Sequence, residues 1–341
     1  MLDVFITSIN AVVPIILLIL VGYLLKRVKF LNENFIKTGN KFVFRVCLPC
    51  MLFINIYDKM ERFSDIRWDV VLYAVIIICI IFALGLLTAI FTTKHKNRRG
   101  VILQCTFRSN FAIIGLTLVE RLGGDLGLAG IISAFSIPVF NILAVIALSV
   151  FSEEDCGGYK HNVKNIFLNI VKNPLIIGVA VGLVFVGIRE IERACFNGEV
   201  LFSLKTHLKF LYIGLSDLKV IASPLALIIL GGQFEFSAVK GMTKEIVVGT
   251  VWRILLAPLI GIGLAVLLSN NTEWLNFGAD VYPTLIALFG TPVAVSSAIM
   301  AGEMKSDEQL ATQLVVWTSI CSILTIFITV FVLMSFGLLV T

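Results

Sequence analysis

Long runs of apolar residues, separated by short polar stretches, recur along the whole chain. A helix needs about 20 such residues to cross the hydrocarbon core of a bilayer. Ten runs reach this length, at about residues 5–26, 38–57, 69–92, 101–121, 127–151, 166–188, 213–234, 245–268, 279–301 and 310–337. The pattern therefore predicts an all-α polytopic membrane protein with ten transmembrane helices and no separate soluble domain.

The composition agrees with a protein whose partner is the lipid bilayer. Hydrophobic residues make up 58% of the chain and charged residues 14%, and the mean hydropathy is +1.00. A soluble domain carries roughly a quarter charged residues. The formal net charge of +5 is explained by basic loops beside the spans, so we predict no nucleic-acid partner.

The basic residues also predict an orientation. Counted over loops and flanks, fifteen lysines and arginines fall on the side of the KHKNRR loop at 94–99, and eight fall on the other side. Cytoplasmic loops carry the excess of basic residues. No basic residue precedes the first apolar run, whereas Lys26, Arg27 and Lys29 follow it, which is the reverse of a signal peptide. We therefore predict a multi-pass protein of the cell membrane with both termini extracytoplasmic.

Proline and glycine positions indicate a duplicated organisation. Pro14 and Gly22 in the first span have the same spacing as Pro174 and Gly182 in the sixth. Each half holds five spans, an odd number, so the halves must have opposite orientations, as in the inverted repeats of many secondary transporters. We expect a first repeat at 1–151, a cytoplasmic linker at 152–165 and a second repeat at 166–341.

An arginine lies inside the fourth predicted span, in the stretch FRSNFAIIG at 107–115. A basic residue there costs about 2.5–3.5 kcal/mol on insertion scales, so it normally faces the protein interior or an aqueous cavity. Arg108 is accompanied by Ser109 and Asn110 and is followed by Gly115. These residues predict a polar, weakened helix near the middle of the membrane.

The corresponding place in the second half is LFGTPVAVSSA at 288–298. Gly290 and Pro292 should break span nine, because proline cannot donate a backbone hydrogen bond, while Thr291, Ser296 and Ser297 add hydroxyl groups. Two broken helices in corresponding positions of inverted halves point to a transport site. The alternative is that these are ordinary kinks and that the arginine is structurally satisfied.

Other charged residues inside spans carry weaker signals. Arg45 and Arg253 lie within about two turns of a cytoplasmic end, so we interpret them as anchors that reach the membrane surface. Asp217 and Lys219 lie near the outer end of span seven. They fit a solvated structural pair and a proton-handling site equally well.

Six stretches keep the motif order of a known family: VPIILLILVGYLLKR, NKFVFRVCLPCMLFIN, NFAIIGLTL, KNPLIIGVAVGL, SPLALIILGG and TPVAVSSAIMAGEM, in spans 1, 2, 4, 6, 7 and 9. Together they resemble the auxin efflux carrier family, which includes plant PIN-FORMED exporters and many bacterial organic-acid carriers. The resemblance covers about residues 10–335.

The resemblance implies two inverted five-helix repeats, similar to bile acid symporters and NhaA. Helices 1, 2, 6 and 7 would form a scaffold domain, and the others a transport domain in which broken helices 4 and 9 cross. The crossover asparagine of the family falls on Asn110, its following glycine on Gly115 and its second crossover proline on Pro292. Thr117 stands where the family usually has proline, so the break in span four is left to Gly115 and the Thr117 hydroxyl. We also expect a homodimer through the scaffold domain.

We interpret the protein as a secondary carrier that moves a small organic anion by an elevator mechanism. Each half-helix N-terminus carries about half a positive charge, which together with Arg108 suits a carboxylate, and Asn110, Thr291 and Ser296 could add hydrogen bonds. Malate, malonate, lactate and indole acids all remain possible substrates, and the coupling ion is open. The alternatives are an anion channel or a non-transporting sensor on the same fold.

We predict that the protein is not an enzyme and needs no cofactor or metal. The sequence has no HExxH or GxSxG motif and no paired acids within a span, and its three histidines lie in predicted loops. The CLPC stretch at 47–50 is interpreted as packing around a helix proline.

The charge asymmetry leads to a test of orientation. A cysteine placed at Asn97, in the KHKNRR loop, should not react with an impermeant thiol reagent added to intact cells, because this loop is predicted to be cytoplasmic. It should react once the cells are opened, and the chain with its seven native cysteines sets the background. Labelling at this position from outside would show that the orientation is inverted.

Overall fold

The computed structural model describes residues 2–60, 66–151, 168, 171–271, 275 and 277–339. Within this described part, the chain is helical except for turns and one antiparallel β-bridge between Ser109 and Val293. The predicted linker at 152–165 lies outside the described residues.

The long helical segments are numbered α1 to α10 in chain order, and four of them contain a π-helical turn. Their bounds are α1 Leu2–Arg27; α2 Glu33–Phe42, Val43–Cys47 (π) and Leu48–Lys59; α3 Trp68–Thr92; α4a Lys96–Phe107; α4b Phe111–Gly115 (π) and Leu116–Arg121; α5 Leu126–Val150; α6 Pro174–Cys195; α7 Lys209–Gln233; α8 Thr243–Val251, Trp252–Leu256 (π) and Ala257–Asn271; α9a Tyr282–Leu285 and Ile286–Gly290 (π); α9b Ser296–Glu303; α10 Glu308–Ser335. A short helix, Leu204–His207, precedes α7, and a 3₁₀ turn, Phe236–Gly241, follows it.

Among the described residues, seven helical stretches are long and apolar enough to cross a membrane, those of α2, α3, α5, α6, α7, α8 and α10. They confirm an all-α polytopic membrane protein. Predicted spans four and nine coincide with the interrupted segments α4 and α9, whose halves are each too short to cross alone. The full set of ten spans remains a prediction.

The helices bury one face and leave apolar side chains on the outside. On α3, Val70 and Ile77 are buried, whereas Leu72, Ile76 and Leu87 are exposed. Exposed leucines of this kind are costly in water but not in lipid tails. The outer surface therefore suits a hydrocarbon environment.

Glycines bring two pairs of helix backbones into direct contact. A β-carbon at Gly22 of α1 would collide with the carbonyl oxygen of Ile228 in α7, and one at Gly231 of α7 would collide with that of Ile19 in α1. In the second pair, a β-carbon at Gly178 of α6 would collide with the backbone of α2 at Pro49. Only glycine permits such close approach of two helices.

The contact at Gly231 can be tested by adding a single methyl group. Gly231→Ala should lower the free energy of unfolding by about 1–3 kcal/mol, because α1 and α7 must move apart to accommodate it. Gly214→Ala is the matched control on the same helix, since a β-carbon there meets no atom within 4 Å. Thermal melting of the purified variants measures the difference, and equal melting temperatures would contradict the packing described here.

Candidate functional site

Helices α4 and α9 are both interrupted. In α9 the break falls at Gly290 and Pro292, as predicted. In α4 it falls at the polar residues 108–110, and the expectation that Gly115 makes this break is wrong, because Gly115 lies within the π-helical turn of α4b. Helix α4a ends at Phe107, and Arg108 then adopts an extended conformation with φ −85° and ψ 103°. Helix α9a ends at Gly290, and Thr291 is extended with φ −76° and ψ 155°. The residue before a proline is restricted to extended backbone, so Pro292 accounts for the conformation of Thr291.

The two interruptions lie against each other and exchange hydrogen bonds. Asn110 N donates to Pro292 O at 2.8 Å, and Ala294 N donates to Arg108 O at 3.3 Å. Val293 N donates to Thr318 Oγ1 at 3.2 Å. Backbone N–H and C=O groups at membrane depth need hydrogen-bond partners. Each interruption supplies some of these partners to the other.

Arg253 supplies further donors, and the interpretation of this residue as a surface anchor is wrong. Its side chain is fully buried. The guanidinium donates from Nε to Thr291 O at 2.9 Å, from Nη2 to Phe289 O at 2.7 Å and Leu288 O at 3.3 Å, and from Nη1 to Thr106 O at 3.3 Å. These carbonyls lie at the C-terminal ends of α4a and α9a.

The position of Arg253 matches the electrostatics of helix ends. The last carbonyls of a helix have no partner within the helix and carry a partial negative charge. A guanidinium has five N–H donors in a fixed plane, so one side chain reaches the ends of two helices. Arg253 therefore supplies hydrogen-bond donors to the backbone carbonyls at both interruptions.

Arg108 lies on the other side of the interruptions and is 3% exposed. Its Nη2 donates to Asn141 Oδ1 at 2.7 Å and to Ser296 Oγ at 3.1 Å, and Nη1 lies 3.1 Å from Met300 Sδ. In the described part of the chain, no carboxylate lies within 4.0 Å of it. Arg108 is thus a buried cation with only neutral partners.

A small cavity of ≈ 50 Å³ adjoins Arg108, which is room for a few water molecules. Its polar wall includes Ser109, Asn110 and Asn141, and the side-chain atoms Ser109 Oγ, Asn110 Nδ2 and Asn141 Nδ2 are buried without a hydrogen-bond partner in the described structure. The rest of the wall is mostly apolar. Buried polar groups normally have partners, so these atoms mark an incomplete site.

The predicted site residues separate into two groups. Arg108, Ser109, Asn110 and Ser296 line the cavity. The others belong to the interruptions but do not line it: Gly115, Gly290, Thr291, Pro292 and Ser297.

The second group has structural contacts of its own. Thr291 Oγ1 donates to Ala287 O at 2.8 Å, and Pro292 O accepts from Asn110 N. A β-carbon at Gly115 would lie 3.2 Å from Ala287 O, so this glycine lets α4b approach α9a. Ser297 Oγ is buried without a described partner. The side chain of Thr117 is not described.

Asn141 was missed by the sequence analysis. It lies on α5, three residues after Pro138, in an otherwise apolar helix. An isolated amide in such a helix is a usable signal, because it needs a polar partner in the membrane. Lys219, by contrast, lies 3.7 Å from Asp58, which favours a structural pair at that end of the molecule.

A second, open cavity of ≈ 550 Å³ lies near the ends of α5 and α9b and the start of α6. Arg45, Lys172 and Lys305 line it, together with Glu303. Pro174 lines the open cavity, and the next residue, Leu175, lines the small cavity beside Arg108. The open cavity is thus a basic vestibule beside the Arg108 site.

Comparison with known proteins gives one consistent result. A family model described as "Membrane transport protein" matches residues 7–330. An uncharacterized transporter of Methanothermobacter thermautotrophicus is 23% identical over 331 residues, covering 95% of this chain and 97% of that protein. The uncharacterized transporter YfdV of Escherichia coli K12 is 24% identical over 299 residues, covering 86% of this chain and 87% of YfdV.

The role of Arg253 leads to a stability prediction. A hydrogen bond from a charged donor contributes about 1.5–3 kcal/mol, so losing four of them outweighs the relief of about 2.5–3.5 kcal/mol from removing an intramembrane cation. We expect Arg253→Met to lower the free energy of unfolding by about 3 kcal/mol or more, measured by thermal melting in detergent.

The matched control is Arg45→Met, because the Arg45 side chain is 65% exposed and lies 3.7 Å from Glu303. An exposed pair of this kind contributes about 0–1 kcal/mol. If Arg253→Met melted like Arg45→Met, the bonds to the helix ends would not support the interruptions.

Proposed function

Because the chain belongs to the membrane transport protein family, whose model matches residues 7–330, we propose that it is a secondary carrier of a small organic anion. Its substrate would be a carboxylate bound between the two helix interruptions. The carrier would work in the cell membrane with both termini outside, by an elevator movement of one group of helices against another.

The observation that carries this proposal is the environment of Arg108. A buried cation without a carboxylate partner is unfavourable, and the cavity beside it holds unpaired polar atoms of Ser109, Asn110 and Asn141. A carboxylate would neutralise the charge and accept hydrogen bonds from the amide groups. The first residues of α4b and α9b add the positive ends of two helix dipoles.

The cavity wall also favours one kind of carboxylate. Among the described residues, Arg108 is the single cationic side chain of its wall, and the apolar residues Leu52, Ile137, Phe140 and Leu175 make up much of the remaining wall. A second carboxylate group would be buried here without a counter-ion, at a high desolvation cost. We therefore favour a monocarboxylate with a small apolar body over a dicarboxylate.

The packing supports two inverted repeats. Exchanging the halves maps α1 onto α6 and α2 onto α7, so the close contact of α1 with α7 corresponds to that of α6 with α2. The glycine contacts at Gly231 and Gly178 fit this relation. Helices α1, α2, α6 and α7 would form the scaffold domain, and through it a homodimer.

The position of the cavity supports an elevator movement, because residues of both proposed groups of helices line it. Its charged and amide side chains, Arg108, Asn110 and Asn141, come from the proposed transport domain, whereas the scaffold contributes mainly apolar residues such as Leu52 and Leu175. A mostly apolar face offers few hydrogen bonds that sliding must break. The basic vestibule beside it would attract anions from the cytoplasmic side.

Counterflow in proteoliposomes tests the carrier function. The purified protein is first screened by thermal shift against acetate, lactate, butyrate, indole-3-acetate, malonate and malate, since a ligand that binds the folded state raises its stability. Unlabelled internal acid should then accelerate uptake of the same labelled acid. Uptake without this acceleration indicates a channel, and binding without uptake indicates a sensor.

Replacing Arg108 tests the site itself. Arg108→Ala should weaken carboxylate binding roughly tenfold or more, because a charged hydrogen bond of about 1.5–3 kcal/mol is lost. Arg108→Lys should be intermediate, since it keeps the charge without the planar guanidinium. Isothermal titration with the acid selected by thermal shift measures these affinities.

The melting temperature of Arg108→Ala should stay near that of the wild type. Two hydrogen bonds to neutral oxygens are lost, but an intramembrane charge that costs about 2.5–3.5 kcal/mol is also removed. Arg121→Ala, at the exposed end of α4b and outside both cavities, serves as the matched control that keeps the affinity. A wild-type carboxylate affinity in Arg108→Ala would rule out the binding role. A melting temperature far below that of the wild type would show that Arg108 is needed for the fold.

A further inference from the structure

A third cavity, of ≈ 310 Å³, lies between the end of α7 and the start of α10. Its wall includes Asn40 of α2, Gln233 of α7, Gly302 of α9b, and Glu308 and Gln309 of α10. Helices α2 and α7 belong to the proposed scaffold, whereas α9 and α10 belong to the proposed transport domain. The cavity thus lies at the boundary that an elevator movement must cross.

Glu308, the first residue of α10, has an amide as its hydrogen-bond partner. Gln233 Nε2 donates to Glu308 Oε1 at 2.6 Å. No lysine or arginine nitrogen of the described residues lies within 4.0 Å of this carboxylate. A β-carbon at Gly302 would collide with Oε1, so the carboxylate is packed against the backbone of α9b. Glu308 is therefore a carboxylate packed between α7 and α9b, with no lysine or arginine nitrogen within 4.0 Å among the described residues.

Three residues in the wall of this cavity have an amide oxygen that accepts no hydrogen bond in the described structure. Asn40 is 5% exposed, and its Oδ1 is buried without a partner, as are Gln233 Oε1 and Gln309 Oε1. The amide nitrogens of the glutamines are already used, because Gln233 Nε2 donates to Glu308 and Gln309 Nε2 donates to Gln233 O at 3.1 Å. The oxygens of these two amides are therefore free to accept a hydrogen bond. A protonated carboxyl would add the O–H donor that this cluster lacks.

Charged groups around the cavity come from every neighbouring element. They are Lys26 of α1; Glu33, Lys37 and Lys41 of α2; Glu235 after α7; Glu303 of α9b; and Asp307 at the N-cap of α10. Lys26 pairs with Glu33, Glu303 with Arg45, and Asp307 with Arg98. Lys37 and Lys41 are exposed. Among the described residues, no group of three or more His, Cys, Asp or Glu side chains could hold a metal ion, whereas a proton needs only a carboxylate with an acceptor beside it.

We propose that Glu308 is a proton-binding site that couples transport to the proton gradient. The step is a simple proton transfer, in which the carboxylate takes a proton from a hydronium ion that reaches the cavity, leaving water, and becomes a neutral acid that donates to one of the unpaired amide oxygens. This proposal rests on the proposed carrier function. It assigns the coupling ion, which the Arg108 site does not determine.

Because Glu308 of α10 is hydrogen-bonded to α7, its protonation would change how easily these two helices move past each other. Besides the bond between Gln233 and Glu308, Gln313 Nε2 donates to Glu235 O at 2.7 Å, so the start of α10 is fastened to the end of α7 by hydrogen bonds. An ionised carboxylate that slides along an apolar face must give up its amide and water contacts, whereas a neutral acid loses less. Protonation therefore lowers the barrier for movement of α10 past α7.

The first experiment tests the proton site without any substrate. Melting temperatures of the purified full chain are measured across acidic to neutral pH for the wild type, Glu308→Gln and the matched control Glu33→Gln. The wild type should melt lower as Glu308 ionises, and Glu308→Gln should lack this component and melt like the acidic wild type. Glu33→Gln, which alters an exposed acid of the same cavity, should keep it. A constant difference between wild type and Glu308→Gln at every pH would overturn the proposal.

The second experiment tests coupling in proteoliposomes, with the labelled carboxylate selected by thermal shift. An inward proton gradient should raise initial uptake severalfold in the wild type and in Glu33→Gln, and the ratio with and without gradient should fall to about one in Glu308→Gln. Persistent stimulation in Glu308→Gln, or stimulation of the wild type by sodium instead of protons, would overturn the proposal. If no carboxylate shows counterflow through the wild type, the carrier function has failed, and the melting titration alone decides the proton site.

Discussion

A helix that stops in the middle of a bilayer leaves carbonyl groups with no water to bind, and Arg253 supplies donors for such groups at both interruptions. Its bonds reach Thr106 at the end of α4a and Leu288, Phe289 and Thr291 at the end of α9a. The interruptions in turn place Arg108 and the first turns of α4b and α9b around one cavity. The candidate site thus depends on a side chain that does not line it.

The two buried arginines occupy opposite electrostatic environments. Arg253 faces the C-terminal ends of α4a and α9a, where carbonyls attract a cation. Arg108 faces the first residues of α4b and α9b, where the helix dipoles repel one. The first arrangement is complete without a ligand, and the second is not, because Asn141 and Ser296 are neutral. This contrast favours a structural role for Arg253 and supports the proposed binding role of Arg108.

The sequence predicted where the candidate site lies, but it did not predict which side chains from other helices would contact it. Gly290 and Pro292 mark an interruption by local chemistry, and Arg108 stands out because a cation in a span needs a reason. Arg253 was misjudged because its distance from a span end suggested access to the surface, whereas the packing of α8 against α9a decides where it points. Asn141 and Glu308 could not be paired with their partners, since these lie 33 and 75 residues away and no local pattern encodes such distances.

In the proposed carrier, charge links the two sites without direct contact. An empty Arg108 site carries a full positive charge into the boundary between the domains, whereas a bound carboxylate makes the pair neutral. Moving a net charge through a low-dielectric region costs more than moving a neutral pair, so with Glu308 protonated the loaded domain should move more readily than the empty one. Glu308 lies on the same group of helices, and a proton there changes the net charge of the moving unit by one. Substrate and proton therefore both change the net charge of the moving helices, and this shared dependence would couple their transport.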